Sequence, residues 1–95
     1  MKIIEKEVKK NGFLYKQIYR ENDVALFEQI DLDNNLTIAY EVFKISIMKP
    51  NNYITDYFEK FPSNEDFGKT AWTFNNIEKA TETYNVLKNI IKEPS

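Results

Sequence analysis

The segment Lys9–Phe43, "KKNGFLYKQIYRENDVALFEQIDLDNNLTIAYEVF", carries three turn signals at nearly even spacing: Asn11-Gly12, Asn22-Asp23 and Asn34-Asn35. Asn, Asp and Gly tolerate the positive φ that two-residue hairpin turns demand, and Asn-Gly is the strongest pair of the three. The chain between and beside these signals, residues 2–10, 13–21, 24–33 and 36–48, is rich in Ile, Val, Tyr and Phe. Short β-branched and aromatic runs bounded by such turns read as strands. The segment therefore predicts a four-stranded antiparallel meander.

Two-residue turns also fix a register. Facing residue numbers sum to 23 across the first pair of strands, to 45 across the second and to 69 across the third. Side chains alternate between faces, so one face collects Ile4, Val8, Phe13, Tyr15, Tyr19, Val24, Leu26, Ile30, Leu32, Ala39, Phe43 and Ile45. The other collects Ile3, Leu14, Ile18, Phe27, Ile38, Tyr40 and Val42, diluted by charges. The first reads as the main core face. The second is too apolar for a plain solvent surface.

Pro50 ends the fourth strand, and irregular chain runs to about Lys69, with one helical turn expected near Tyr53–Lys60. Thr70–Phe74, "TAWTF", reads as a short fifth strand. Asn75 or Asn76 then suits a helix N-cap, with Glu78 placed as in a capping box. The following helix sets Ile77, Ala80, Tyr84, Leu87 and Ile91 on one stripe, flanked by Val86 and Ile90. Lys88 and Lys92 suit the negative end of its dipole, and Pro94 stops it. The reading is one α+β domain over residues 1–95: the meander, a short fifth strand and a C-terminal helix packed across the main face.

The connection between strand and helix is unusual. Asp56–Phe74, "DYFEKFPSNEDFGKTAWTF", holds Tyr57, Phe58, Phe61, Phe67, Trp72 and Phe74, although connecting segments are normally polar. Burying one large aromatic contributes about 1.5–3 kcal/mol. A flap with these rings offsets its ordering entropy by folding over the second face, on Ile18, Phe27, Tyr40 and Val42. An exposed aromatic platform, or a homodimer seam, is the sharper alternative, with Tyr57, Phe58, Phe61, Phe67 and Trp72 as partner-binding residues.

Composition excludes several function classes. The chain has neither Cys nor His, which removes disulfides, thiolate metal sites, the commonest general base and the commonest metal ligand. The N-terminus interleaves charge with its apolar residues, unlike a signal peptide, and no uncharged apolar run reaches membrane-spanning length. A soluble, cytoplasmic protein is expected. There is no nucleophile elbow, phosphate-binding loop or dinucleotide fingerprint, so the expectation is a non-enzymatic protein without cofactor, metal or catalytic residues.

The net charge of −2 is unevenly spread: residues 1–20 carry +4, residues 21–43 carry −6 and the remainder is balanced. The plain reading is solvated strand faces that pair with one another. The sharper one is an acidic hairpin (Glu21, Asp23, Glu28, Asp31 and Asp33) aimed at a basic partner. The expected register also places Lys6, Gln17, Glu28 and Glu41 in one row, a possible polar pocket in which neighbouring carboxylates would raise one another's pKa. Its plain counterpart is a wet margin beside the helix, and a bulge in the fourth strand would move Glu41 to the other face. Asp31, Asp33 and Asn35 mimic the start of a calcium loop, but Leu36 and Val42 occupy its glycine and bidentate-glutamate positions. Tyr15, Tyr19, Lys16 and Arg20 near Lys6, Lys9 and Lys10 make a weak nucleic-acid pattern, disfavoured by the acidic hairpin beside it.

From Tyr40 to Tyr84 the chain resembles small bacteriophage and mobile-element proteins of no assigned activity. The shared pattern is a strand with "YEV" (Tyr40–Val42), a loop with Pro62, Asn64, Glu65, Phe67 and Gly68, an aromatic strand with Ala71, Trp72 and Phe74, and a helix start at Ile77–Ala80. The resemblance implies a phage setting. By analogy, such a chain would bind and modulate or inhibit a host or defence protein with a basic surface, as monomer or homodimer. A single-stranded nucleic-acid module and a small-ligand-binding protein are the alternatives.

Overall fold

The computed structural model describes residues 2–50, 52, 56–62 and 66–92, the last two without their side chains. Along these residues run β1 (Glu7–Lys10), β2 (Phe13–Glu21), β3 (Val24–Asp31), β4 (Leu36–Lys44), β5 (Ser46–Met48), β6 (Phe58–Lys60), β7 (Ala71–Phe74) and α1 (Ile77–Lys92). The first four strands form the antiparallel meander, β7 adds antiparallel to β4, and α1 packs on the resulting sheet in the order β1-β2-β3-β4-β7. This is the α+β architecture that the turn spacing predicts.

The fourth strand does not run unbroken to residue 48. It stops at Lys44, and Ile45 tucks into the core with its N–H donating to the Asp23 carbonyl at 2.6 Å. The chain then crosses to a second layer, where β5 pairs with β6. Lys2 bridges to β6 at Phe58, so the N-terminal arm belongs to this layer too. The helical turn expected near Tyr53–Lys60 is strand β6 over Phe58–Lys60, while residues 53–55 lie outside the described ones. Asn64, Glu65, Pro94 and the Ile91 side chain, all used in the sequence reading, lie outside them as well.

Register is where the sheet departs from expectation. β1 and β2 pair as the Asn11-Gly12 turn dictates, with φ of 56° and 84° at its two residues. β2 and β3 start as expected, Glu21 facing Val24, but slip by one residue between Gln17 and Tyr19, leaving Ile18 as a bulge. At the third hairpin the expected two-residue turn is instead the four residues Leu32–Asn35, closed by the pair Asp31 and Leu36. The cause is the Asp31 carboxylate. It accepts the Asp33 N–H and the Asn34 side-chain amide, each at 2.9 Å, and folds the chain into its own Asx turn. Asn35, with φ 55°, then closes the turn by donating to the Asp31 carbonyl. A second bulge follows at Ile38.

A one-residue slip sends every later side chain to the opposite face. The expected faces are therefore exchanged in part. Under α1 lie Val24, Leu26 and Val42, with Ile18, Tyr40 and Phe74 around them and Ala80, Tyr84 and Leu87 above. Under the second layer lie Ile4, Ala25, Phe27, Phe43, Ile45 and Ala71, with Val8 and Tyr15 beside them and Phe61 and Phe67 as the cover. Thus Ile18, Tyr40 and Val42 are under the helix rather than the flap. Ile4, Val8, Tyr15, Phe43 and Ile45 are under the flap rather than the helix. Of the two expected caps the helix uses Asn76, whose Oδ1 accepts the N–H groups of Glu78 (2.7 Å) and Lys79 (3.3 Å), so Glu78 falls one position short of the expected capping box.

Candidate interaction surface

The aromatic connection divides into three roles. Phe61 is the hub of the flap, its ring centroid 5.0 Å from Phe27, 5.4 Å from Phe43 and 5.6 Å from Tyr15. Phe67 packs against the same cluster, and Pro62 is buried. Phe58 lines a groove of about 270 Å³ with Ile3, Ile4 and Val8. Trp72 and Phe74 belong to β7, facing Val42 and Tyr40. Of the named rings, Tyr57 alone is exposed. Phe61 and Phe67 are thus engaged in packing, while Tyr57, with Ile3, Ile47 and Met48, leaves apolar side chains exposed on the same layer.

The polar row does not form. Gln17 stays next to Lys6, donating its N–H to the Lys6 carbonyl at 2.7 Å. Across the bulge, however, Gln17 faces Phe27, and Phe27 faces Glu41. Glu28 lies in another row, between Lys16 and Tyr40, and accepts the Thr37 hydroxyl. Glu41 is left on the flap face at 7% exposure. Burial raises its pKa, and the nearby Lys10 charge opposes that shift in part. Tyr15 feels both burial and the Glu41 charge, and its hydroxyl pKa rises as well.

The acidic residues do not make one patch. Glu21 and Asp23 sit at the β2–β3 turn, and Asp31 and Asp33 at the other end of β3, a strand length of about 25 Å away. Glu21 pairs with Lys88 of the helix at 3.3 Å. Asp31 is engaged by its turn, and the Asn34 and Asp33 hydrogen bonds hold its pKa below the ordinary carboxylate value. Asp33 remains exposed beside it, with Glu28 behind on the helix face.

Next to this second acidic end lies a surface that the sequence reading did not single out. β7 ends at Phe74, opposite Tyr40, because the chain turns at once into the Asn76 cap of the helix. β4, however, continues from Tyr40 back to Leu36. Its outer edge over Leu36–Ala39 therefore has no strand beside it among the described residues. Leu36 is 62% exposed, Ile38 46% and Leu32 43%, and none of them belongs to either core. A groove of about 530 Å³ runs from Ile38 and Ala39 past Phe74 and Asn75 to Lys79. The sequence signal was the mismatch in length between "TAWTF" and the strand it pairs with.

The two tyrosines of the nucleic-acid pattern are on opposite faces. Tyr15 lies against Phe61 under the flap, while Tyr19 stacks on Tyr84 of the helix at 5.5 Å. The Ile18 bulge between them prevents a common stacking platform. Among the described residues no acidic cluster is placed to hold a metal ion, and no helix is long and apolar enough to cross a membrane. No protein-family model matches the chain, and no curated protein or solved structure matches it significantly.

Proposed function

We propose that this chain is a non-enzymatic protein-binding module, and that the end of the sheet left bare by α1 and β7 is where it meets its partner. The observation that carries this reading is the exposure of Leu36, Ile38 and Leu32 near the stretch of β4 whose outer edge has no strand beside it among the described residues. Monomeric proteins rarely leave contiguous apolar surface at a strand edge without covering or charging it. Asp31, Asp33 and Glu28 rim the surface, which favours a partner with basic residues. In the phage setting that the sequence pattern implies, the partner would be a host or defence protein that the chain inhibits or modulates.

The test compares the wild-type chain with a Leu36→Asp/Ile38→Asp variant in affinity capture from bacterial lysate, with and without nuclease treatment. The reading expects a protein retained by the wild type and lost by the variant, with the two folding equally well. Retention by both, or by neither, counts against it. Capture that disappears with nuclease would move the assignment to nucleic acid.

A further inference from the structure

At the other end of the sheet, β2 outlasts its outer neighbour. The pairing with β1 stops at Lys16, opposite Glu7, and the Gln17 N–H donates to the Lys6 carbonyl. Beyond Gln17 no strand lies along that edge of β2 among the described residues. Side chains alternate there: Arg20 crosses to Glu59 in the second layer, while Tyr19 and Glu21 turn to the helix. Thr81, Tyr84, Asn85 and Lys88 meet them from α1, at the spacing that puts four residues on one helix face. With Tyr19 they line a cavity of about 250 Å³.

The chain already keeps a cation at this spot. Lys88 Nζ lies 3.3 Å from Glu21 Oε2 and 5.5 Å from the centroid of the Tyr84 ring. Tyr84 is buried, and Tyr19 stacks on it at an interplanar angle of 27° while 46% of its own surface stays exposed. An exposed ring held by a buried one, with a carboxylate beside it, offers what a guanidinium uses best: a face to stack on and a two-pronged acceptor. We infer that this pocket receives an arginine side chain of a partner protein, which stacks on Tyr19 and takes Glu21 over from Lys88. Asn85 Oδ1 and the Thr81 hydroxyl can accept its remaining N–H groups. Lys88 yields because its ammonium is a single point of charge on a flexible stem, with 29% of the side chain exposed. Asp23, exposed in the adjoining turn, adds to the negative charge that draws a cation here.

The source of that arginine is a different protein rather than a second copy. The sequence holds a single arginine, Arg20, and both of its terminal nitrogens are engaged by Glu59. A second copy has no guanidinium to offer without giving up the contact that joins its own two layers. Its lysines lack the planar fork. The pocket agrees with the basic partner proposed above but does not depend on the bare edge of β4.

The experiment titrates the ¹⁵N-labelled chain with N-acetyl-arginine-N-methylamide and with its lysine and citrulline counterparts, followed by amide chemical shifts. Shifts at Tyr19, Glu21, Thr81 and Asn85 are expected, half-saturated at about 1–10 mM. Citrulline keeps the shape without the charge and should bind about tenfold more weakly, and lysine about threefold more weakly. Lys88→Gln removes the resident cation and should tighten arginine binding about threefold, whereas Glu21→Gln should weaken it about tenfold. Opposite signs from the two ends of one ion pair mark a pocket, since a merely structural contact would act in the same direction from either end. Equal affinity for arginine and citrulline, or weaker binding by Lys88→Gln, overturns the pocket. So does the absence of shifts at these residues up to about 50 mM. Lysine binding as tightly as arginine overturns the guanidinium assignment and readmits a second copy as the source. Shifts at Leu36–Ala39 alone would overturn the pocket and place the basic recognition at the bare edge, so the two surfaces stand or fall separately.

Discussion

Arg20 and Glu59 meet head-on across the two layers of the fold: Nη1 and Nη2 of Arg20 donate to Oε1 and Oε2 of Glu59 at 2.6 and 2.5 Å. Glu59 Oε1 also accepts the N–H of Ile4 at 3.0 Å. One carboxylate thus ties β2, β6 and the N-terminal arm together. Two-pronged guanidinium–carboxylate pairs are among the strongest side-chain contacts, and this acceptor is almost fully enclosed, with 4% of its side chain exposed. Glu59→Gln should cost about 2 kcal/mol of stability in urea unfolding. Amide exchange of Ile4 should accelerate in the variant while exchange in α1 stays unchanged. Equal acceleration in both layers would mean that the pair is not a local latch.

The same pair gives a pH dependence with a definite sign. The Arg20 hydrogen bonds hold the Glu59 carboxyl below its ordinary pKa. Its contribution is therefore present above the unfolded carboxylate pKa and is lost as pH falls through the folded one. The urea midpoints of wild type and Glu59→Gln should differ at neutral pH and converge below about pH 4. Midpoints that stay apart in acid would show that the glutamine acts through packing rather than charge.

Glu41 works in the opposite sense. Burial raises its pKa, against the partial help of Lys10, so its charged form costs stability and its neutral form does not. That cost is absent below the unfolded pKa and sets in as pH rises through the folded one. Glu41→Gln should stabilise the chain at pH 7 by no more than about 1 kcal/mol, since Lys10 and nearby solvent screen the charge. The gain should vanish near pH 4. A destabilised glutamine variant at neutral pH would mean that the carboxylate has a use on the flap face that its burial does not reveal.

The meander was legible because Asn11, Gly12 and Asn22 place positive φ where two-residue turns need it. The helix was legible because its stripe and its Asn cap agree. The pairing of faces was not legible, and two residues explain why. Ile18 and Ile38 are the bulged positions, and each is a good strand residue with no glycine to mark the irregularity. The third turn misled for a related reason: the Asp31 side chain outcompeted Asn34 for control of the backbone, lengthening the loop by two residues. Once the faces exchange, the Lys6–Gln17–Glu28–Glu41 row dissolves, and the flap and helix trade partners. The bare edge at Leu36–Ala39 depends on where β7 stops, which the Asn76 cap decides.

That cap can be tested directly. Asn76→Ala removes the acceptor for two N–H groups at the start of α1 and should cost about 1 kcal/mol. Asn75→Ala should cost less than half of that, because Asn76 holds the capping position. A larger effect at Asn75 would place the helix start one residue earlier and lengthen the free edge of β4 at the expense of β7.

The two layers and the bare edge also predict a contrast between ring and surface. Phe61 touches Phe27, Phe43 and Tyr15 but is itself only half-buried. Phe61→Ala should therefore cost about 2–3 kcal/mol, somewhat less than a fully enclosed phenylalanine. Leu36→Asp and Ile38→Asp remove exposed side chains that neither core uses, and each should change stability by less than about 0.5 kcal/mol. Thermal unfolding of the three variants decides the point. A large loss at Leu36 or Ile38 would mean that their exposed faces are covered within the chain, and the surface would no longer be free for a partner. A small loss leaves two apolar side chains held at a strand edge for which the fold itself has no need.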